Sequence, residues 1–106
     1  MEIKTLKDIQ TIAKPVLIAS PATKAIVFGA WSRGTQTRTS DIDMMVISHD
    51  AQKRFFDRYE DFKGLYDVFG KTGLDLLIYS GKEMSDMKDR AIIQTISREG
   101  IVIYER

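Results

Sequence analysis

The sequence predicts a small α/β domain with helices packed against a mixed β-sheet. Three observations carry that reading. Stretches with helical apolar spacing alternate with short apolar runs of strand length, and glycine, proline or serine marks most of the boundaries. The 106 residues suffice for one hydrophobic core, so residues 1–106 are expected to form a single domain.

The elements follow in order. Residues 5–19 place Leu6, Ile9, Ile12, Ala13, Val16 and Leu17 at helical spacing. Pro15 is expected to kink this helix, since proline removes a backbone donor, and Ser20-Pro21 to end it. Residues 24–28 form an apolar run ending at Gly29, the pattern of a buried strand. A polar stretch over 32–40 leads to a second strand at 42–47. Residues 50–69 read as a long amphipathic helix. Its stripe comprises Phe55, Phe56, Tyr59, Phe62, Leu65, Tyr66 and Phe69, Gly70 is its stop, and core packing is its expected role. Leu74–Tyr79 is a third strand, residues 83–98 a further helix, and residues 101–104 after Gly100 a last strand.

Composition narrows the function classes. Sixteen basic against fifteen acidic residues give a formal charge of +1, which argues against nucleic acid or an anionic membrane as partner. With no cysteine, thiolate metal sites, disulfides and cysteine nucleophiles drop out. Residues 1–12 lack a signal-peptide pattern and no window has the length and apolarity of a membrane span, so the expected location is the cytoplasm.

The chemistry concentrates in residues 27–48, VFGAWSRGTQTRTSDIDMMVIS. Gly29 ends a strand where a backbone free of Cβ can approach a ligand, and Ser32 and Arg33 can add donors for phosphate. Alone, this stretch fits an ordinary tight turn equally well. Asp41 and Asp43 are two apart at a strand start, so both carboxylates face one side, as hard-cation ligands do, while Ile42 turns to the core. An isolated pair of this kind is more often solvated. Asp75 changes the balance, because it interrupts the apolar Gly-Leu-Asp-Leu-Leu-Ile-Tyr run, where an unpaired buried carboxylate costs several kcal/mol. If its strand neighbours residues 42–47, a three-carboxylate cluster results. His49 reads as an exposed loop residue and Arg38 as solvated. Trp31 is either a packing residue or a contact for nucleotide or partner.

This segment resembles the signature of the DNA polymerase β-like nucleotidyltransferases, a glycine turn followed by Asp-hydrophobic-Asp. It is most similar to the minimal nucleotidyltransferases, on Gly29, Ser32, Arg33, Gly34, Ser40, Asp41, Ile42 and Asp43. Asp75 stands where the family's third carboxylate is expected, and residues 97–104, Ser-Arg-Glu-Gly-Ile-Val-Ile-Tyr, resemble the family's ending. Ala30 departs from the pattern: the family places Ser or Gly there, and the Ser hydroxyl is associated with the triphosphate.

The resemblance implies a nucleotidyltransferase fold and nucleotidyl transfer from ATP or another NTP. Asp41, Asp43 and Asp75 would hold two Mg²⁺ ions and perform catalysis, and Gly29, Ala30, Ser32, Arg33 and Ser40 would contact the nucleotide. It further implies an antitoxin paired with a HEPN-domain helical toxin that supplies the acceptor hydroxyl, since larger relatives carry an acceptor domain that 106 residues leave no room for. Trp31 is then a candidate anchor for that partner, and homo-oligomerisation stays open. The rival is a catalytically silent binding module of the same fold, favoured by Ala30 and opposed by the three aspartates. In a third reading the aspartates are structural.

Overall fold

The computed structural model describes residues 2–49, 54 and 56–106. Helix α1 (Leu6–Ile18) opens with a capping box. The Asp8 N–H donates to Thr5 Oγ1 at 3.2 Å and the Thr5 N–H to Asp8 Oδ2 at 3.1 Å, so two of the first-turn donors find partners. Pro15 lies on the exposed side of α1 without ending it. Next come β1 (Ala22–Phe28), the one-turn helix α2 (Ala30–Arg33) and β2 (Ile42–Ser48). A 3-10 segment (Phe56–Phe62), α3 (Lys63–Phe69), β3 (Leu74–Tyr79), α4 (Gly81–Asp86), α5 (Ala91–Glu99) and β4 (Ile101–Glu105) complete the order.

The four strands form one mixed sheet in the order β3-β2-β1-β4. β1 is antiparallel to β2 and β4, and β2 is parallel to β3. Side-chain alternation gives this sheet two apolar faces. On one, Val27, Met44, Val46 and Ile78 pack with Ile9, Ala13 and Leu17 of α1 and with Phe62, Leu65 and Phe69. On the other, Ile26 and Met45 pack with Ile93 and Ile96 of α5, flanked by Met84 and Met87.

Two expected helices differ from the structure, each for a visible reason. Of the helix expected over 50–69, residues 50–53 and Phe55 lie outside the described residues, and the chain from Phe56 winds as a 3-10 segment before α3 begins. That winding turns two polar side chains onto the edge of β3. The Tyr59 hydroxyl donates to Leu76 O at 2.8 Å and Arg58 Nη1 to Ile78 O at 3.4 Å. Carbonyls on a sheet edge need such partners, and this demand outweighs the amphipathic period. Phe62, Leu65 and Phe69 do enter the core, whereas Phe56 is 83% exposed. The helix expected over 83–98 is two helices joined by a turn. Met84 and Met87 face the sheet, as do Ile93 and Ile96, but Met87 and Ile93 are six residues apart, about 600° of helical rotation. One straight helix cannot present both pairs to the same face.

Candidate active site

The site grows out of the point where β1 ends. Gly29 follows with φ 74° and ψ −148°, a region essentially closed to side-chain-bearing residues. A Cβ at this position would run into Asp43 Oδ2. The missing side chain thus allows both the turn and the seat of a carboxylate on the next strand. Helix α2 starts at once, with the Ser32 and Arg33 N–H groups donating to Gly29 O at 3.1 and 3.2 Å. Gly34, at φ 74° and ψ 18°, stops it in the left-handed conformation.

The loop back to β2 is closed by Ser40. Its Oγ accepts the Thr37 N–H at 2.8 Å and its N–H donates to Thr37 O at 3.2 Å, fixing the approach to Asp41. The Ile42 N–H then donates to Gly73 O at 2.9 Å, which starts the β2–β3 ladder. Gly73 repeats the device of Gly29: it has φ 94°, and a Cβ there would collide with Asp41 Oδ1. Two glycines therefore each make room for one aspartate.

In the sheet, Asp43 pairs with Phe28 on β1 and with Asp75 on β3. Asp43 shares its face with Met45 and Asp75 shares its with Leu77, so both carboxylates stand on the α5 side. Burial pushes the Asp43 carboxyl above the ordinary carboxylate range. The charge and hydrogen bonding of Asp75 add to this, as does the charge of Asp41, while Arg33 opposes it. Asp75 is exposed at the sheet edge, and Asp41 is exposed just before β2. Among the described residues no three His, Asp or Glu side chains gather closely enough to hold a metal ion. The close unit is the Asp43–Asp75 pair, with Asp41 seated against Gly73 and acting on it through charge.

The other predicted site residues take defined places. Arg33 Nη1 pairs with Glu99 Oε2 at 3.2 Å, at the end of α5. The Ser32 hydroxyl donates to Gly29 O at 2.9 Å, so its proton is spent on its own backbone. Ala30, the first residue of α2, is half-buried. Of the two roles left open for Trp31 the structure shows packing: only 6% exposed, it sits in the core with α1 and β2. His49 is exposed at the far end of β2 from Asp41. Sequence reasoning missed Glu99 and Gly73. Gly73, two residues before Asp75 in Thr-Gly-Leu-Asp, was open to discovery by its spacing, whereas Glu99, inside the Ser-Arg-Glu-Gly ending, carried no local mark of its pairing with Arg33.

The family model described as "Polymerase beta, Nucleotidyltransferase" matches residues 7–106. The chain belongs to the polymerase β nucleotidyltransferase family. Solved structures show the same fold. A toxin–antitoxin structure with AMP-PNP superposes with a TM-score of 0.65 at 21% identity, over 92% of this chain and 73% of that one. A Sulfolobus solfataricus protein, named provisionally as a nucleotidyltransferase, gives 0.65 at 21% over 96% and 81%. The MntA–HepT toxin–antitoxin structure gives 0.58 at 15% over 94% and 73%. A search of curated proteins returns no match. Within this nucleotidyltransferase family, then, the chain keeps an aspartate pair in register on adjacent strands, beside a glycine turn that ends in Ala30.

Proposed function

We propose that this nucleotidyltransferase transfers a nucleoside monophosphate, AMP from ATP, to a hydroxyl on a partner protein, as the antitoxin of a HEPN-type toxin. The observation that carries the reading is the Asp43–Asp75 pair, held on one sheet face beside the Gly29 turn. Crowded carboxylates with Arg33 as the nearby opposing charge make an oxygen-rich, electron-rich site, which suits hard divalent cations. Asp41, Asp43 and Asp75 would hold two Mg²⁺ ions, which when bound neutralise triphosphate charge and acidify the acceptor hydroxyl. The three aspartates differ in placement, and so in role. Asp43, the most enclosed, feels the charge of both Asp75 and Asp41. Asp75, exposed at the edge, faces the incoming acceptor and takes its proton. The acceptor oxygen then bonds to the α-phosphorus as the bond to pyrophosphate breaks. Gly29 and Ala30 let the backbone approach the triphosphate, Arg33 supplies charge, and Ser40 fixes the loop that delivers Asp41. Rate comes from positioning and charge neutralisation, without a covalent intermediate.

Residues 1–106 act in this reading as one minimal domain that takes its acceptor from another chain. The fold shared with the two toxin–antitoxin structures supports the pairing. No described helix is long and apolar enough to cross a membrane; a cytoplasmic setting is part of the proposal. A second reading, a silent module that neutralises its partner by contact alone, is favoured by Ala30 and by the committed Ser32 hydroxyl. Labelled ATP separates the two, with the neighbouring gene's product as acceptor. Mg²⁺-dependent label transfer that disappears in Asp43→Asn supports the enzyme. If wild type transfers nothing, while wild type and Asp43→Asn neutralise the partner equally, the silent module is the function.

A further inference from the structure

A cavity of about 640 Å³ opens beside the loop that delivers Asp41, walled by Lys4, Trp31, Gln36, Arg38, Lys71 and Thr72. Its charge is unbalanced. Lys4 is answered by Glu2, also on the wall, at 3.9 Å. Arg38 and Lys71 are exposed and form no ion pair among the described residues. Hydrogen-bonding capacity is also unspent there. Trp31 Nε1 and Gln36 Oε1 are buried without a hydrogen-bond partner among the described residues. Buried polar atoms are nearly always paired; of these two, the indole N–H can donate to an anion, whereas Gln36 Oε1 is an acceptor and calls for a donor.

We infer that this cavity seats one or two adjacent acidic side chains of the protein that supplies the acceptor hydroxyl. Two uncompensated cations and the Thr72 hydroxyl suit a carboxylate, and the planar fork of Arg38 can hold both carboxylate oxygens at once. Position links the cavity to the chemistry. Arg38 stands three residues before Asp41, and Thr72 adjoins Gly73, against which the Asp41 carboxylate rests. A peptide anchored at Arg38 and Lys71 therefore starts beside Asp41. A nucleic acid fits less well: successive phosphates need a basic track, whereas these cations converge on one cavity of a chain with formal charge +1.

The inference rests on the proposed transfer to a protein, but docking and transfer can fail separately, because binding here needs neither metal nor nucleotide. Trp31 is the single tryptophan and part of the cavity wall, so its fluorescence is a local reporter. The full chain is titrated with a hexaglutamate peptide and, separately, with hexathymidylate at the same ionic strength. Hexaglutamate is expected to give a saturable change. The double variant Arg38→Glu/Lys71→Glu should weaken it at least tenfold with an unchanged circular dichroism spectrum, and Lys14→Glu on the exposed side of α1 should leave it as it was. No saturable change with the peptide overturns the inference, and so does equal weakening by Lys14→Glu. Tighter binding of hexathymidylate that is lost in the same double variant assigns the cavity to nucleic acid instead.

Discussion

Asp43 on β2 and Asp75 on β3 are register partners on adjacent parallel strands, and the Asp75 carboxyl acts on Asp43 through both charge and hydrogen bonding. Neighbouring strands run about 4.8 Å apart, so two ionised carboxylates there repel. The pair is a local cost to the fold that a divalent cation can reverse. Replacing Asp75 with Asn is expected to stabilise the metal-free protein by about 0.5 kcal/mol. For a domain of this size that is a rise of roughly 2–4 °C in Tm. Mg²⁺ should raise the Tm of wild type and leave that of Asp75→Asn unmoved. Equal Mg²⁺ stabilisation of both proteins, read by scanning calorimetry with and without a chelator, would place the ion elsewhere.

The two glycines that make room for the aspartates give a sharper test of the site's construction. Gly29→Ala forces a side chain into a conformation it strongly disfavours and drives its Cβ into the Asp43 carboxylate. The strain alone costs about 1–3 kcal/mol. Gly34→Ala is the control, because Gly34 also has positive φ but a Cβ there meets nothing within 4 Å. Urea denaturation should show both variants destabilised, Gly29→Ala more so, and only Gly29→Ala should lose nucleotidyl transfer out of proportion to stability. Parallel losses in the two would mean that Gly29 serves the turn alone.

How far the sequence discloses this arrangement depends on the range of the cause. The Asp41-x-Asp43 spacing and the apolar run around Asp75 are local patterns of period two, and side-chain alternation in the sheet follows directly from them. Met87 and Ile93 also held a readable signal, since their six-residue spacing is out of phase with one helix. Arg58 and Tyr59 did not. Their winding answers carbonyls of Leu76 and Ile78 some twenty residues away, and nothing near them in sequence records that demand. Glu99, sixty-six residues from Arg33, is the same case at the site itself.

Arg58 also sets a pH dependence. It is buried and bonds to Glu83 on α4, whose carboxylate also accepts the Ser80 N–H at 2.8 Å. Burial raises the Glu83 pKa, but the hydrogen bonds from Arg58 and Ser80 outweigh it, so the folded-state value lies below the ordinary 4.5. A depressed carboxylate pKa stabilises the fold above the unfolded-state value, and that stability is lost as pH falls through the folded-state value. Stability of wild type should therefore decline as pH drops below about 4.5, and this part of the decline should be missing in Glu83→Gln. Urea midpoints measured from pH 6 to pH 3 decide it: superimposable slopes for the two proteins would rule out Glu83 as a source of the acid sensitivity.

Substitution at Ala30 tests the proposed transferase against the silent module. Ala30 is the first residue of α2, directly after the Gly29 turn, where the resemblance to the minimal nucleotidyltransferases implies a serine hydroxyl for the triphosphate. Ser32 makes no replacement, because its proton already goes to Gly29 O at 2.9 Å. A hydrogen bond to a charged group is worth about 1.5–3 kcal/mol, so Ala30→Ser should tighten ATP binding in the presence of Mg²⁺ by roughly ten- to a hundredfold. Isothermal calorimetry gives the affinity directly, and the same variant should raise labelled-AMP transfer at subsaturating ATP. Ala30→Ser combined with Asp43→Asn shows whether the gain depends on the carboxylates. If the double variant keeps the tighter binding but transfers nothing, the turn holds the triphosphate and the aspartates do the chemistry. An unchanged ATP affinity in Ala30→Ser would remove Ala30 from the triphosphate site, and with it the main ground for calling the wild-type chain silent.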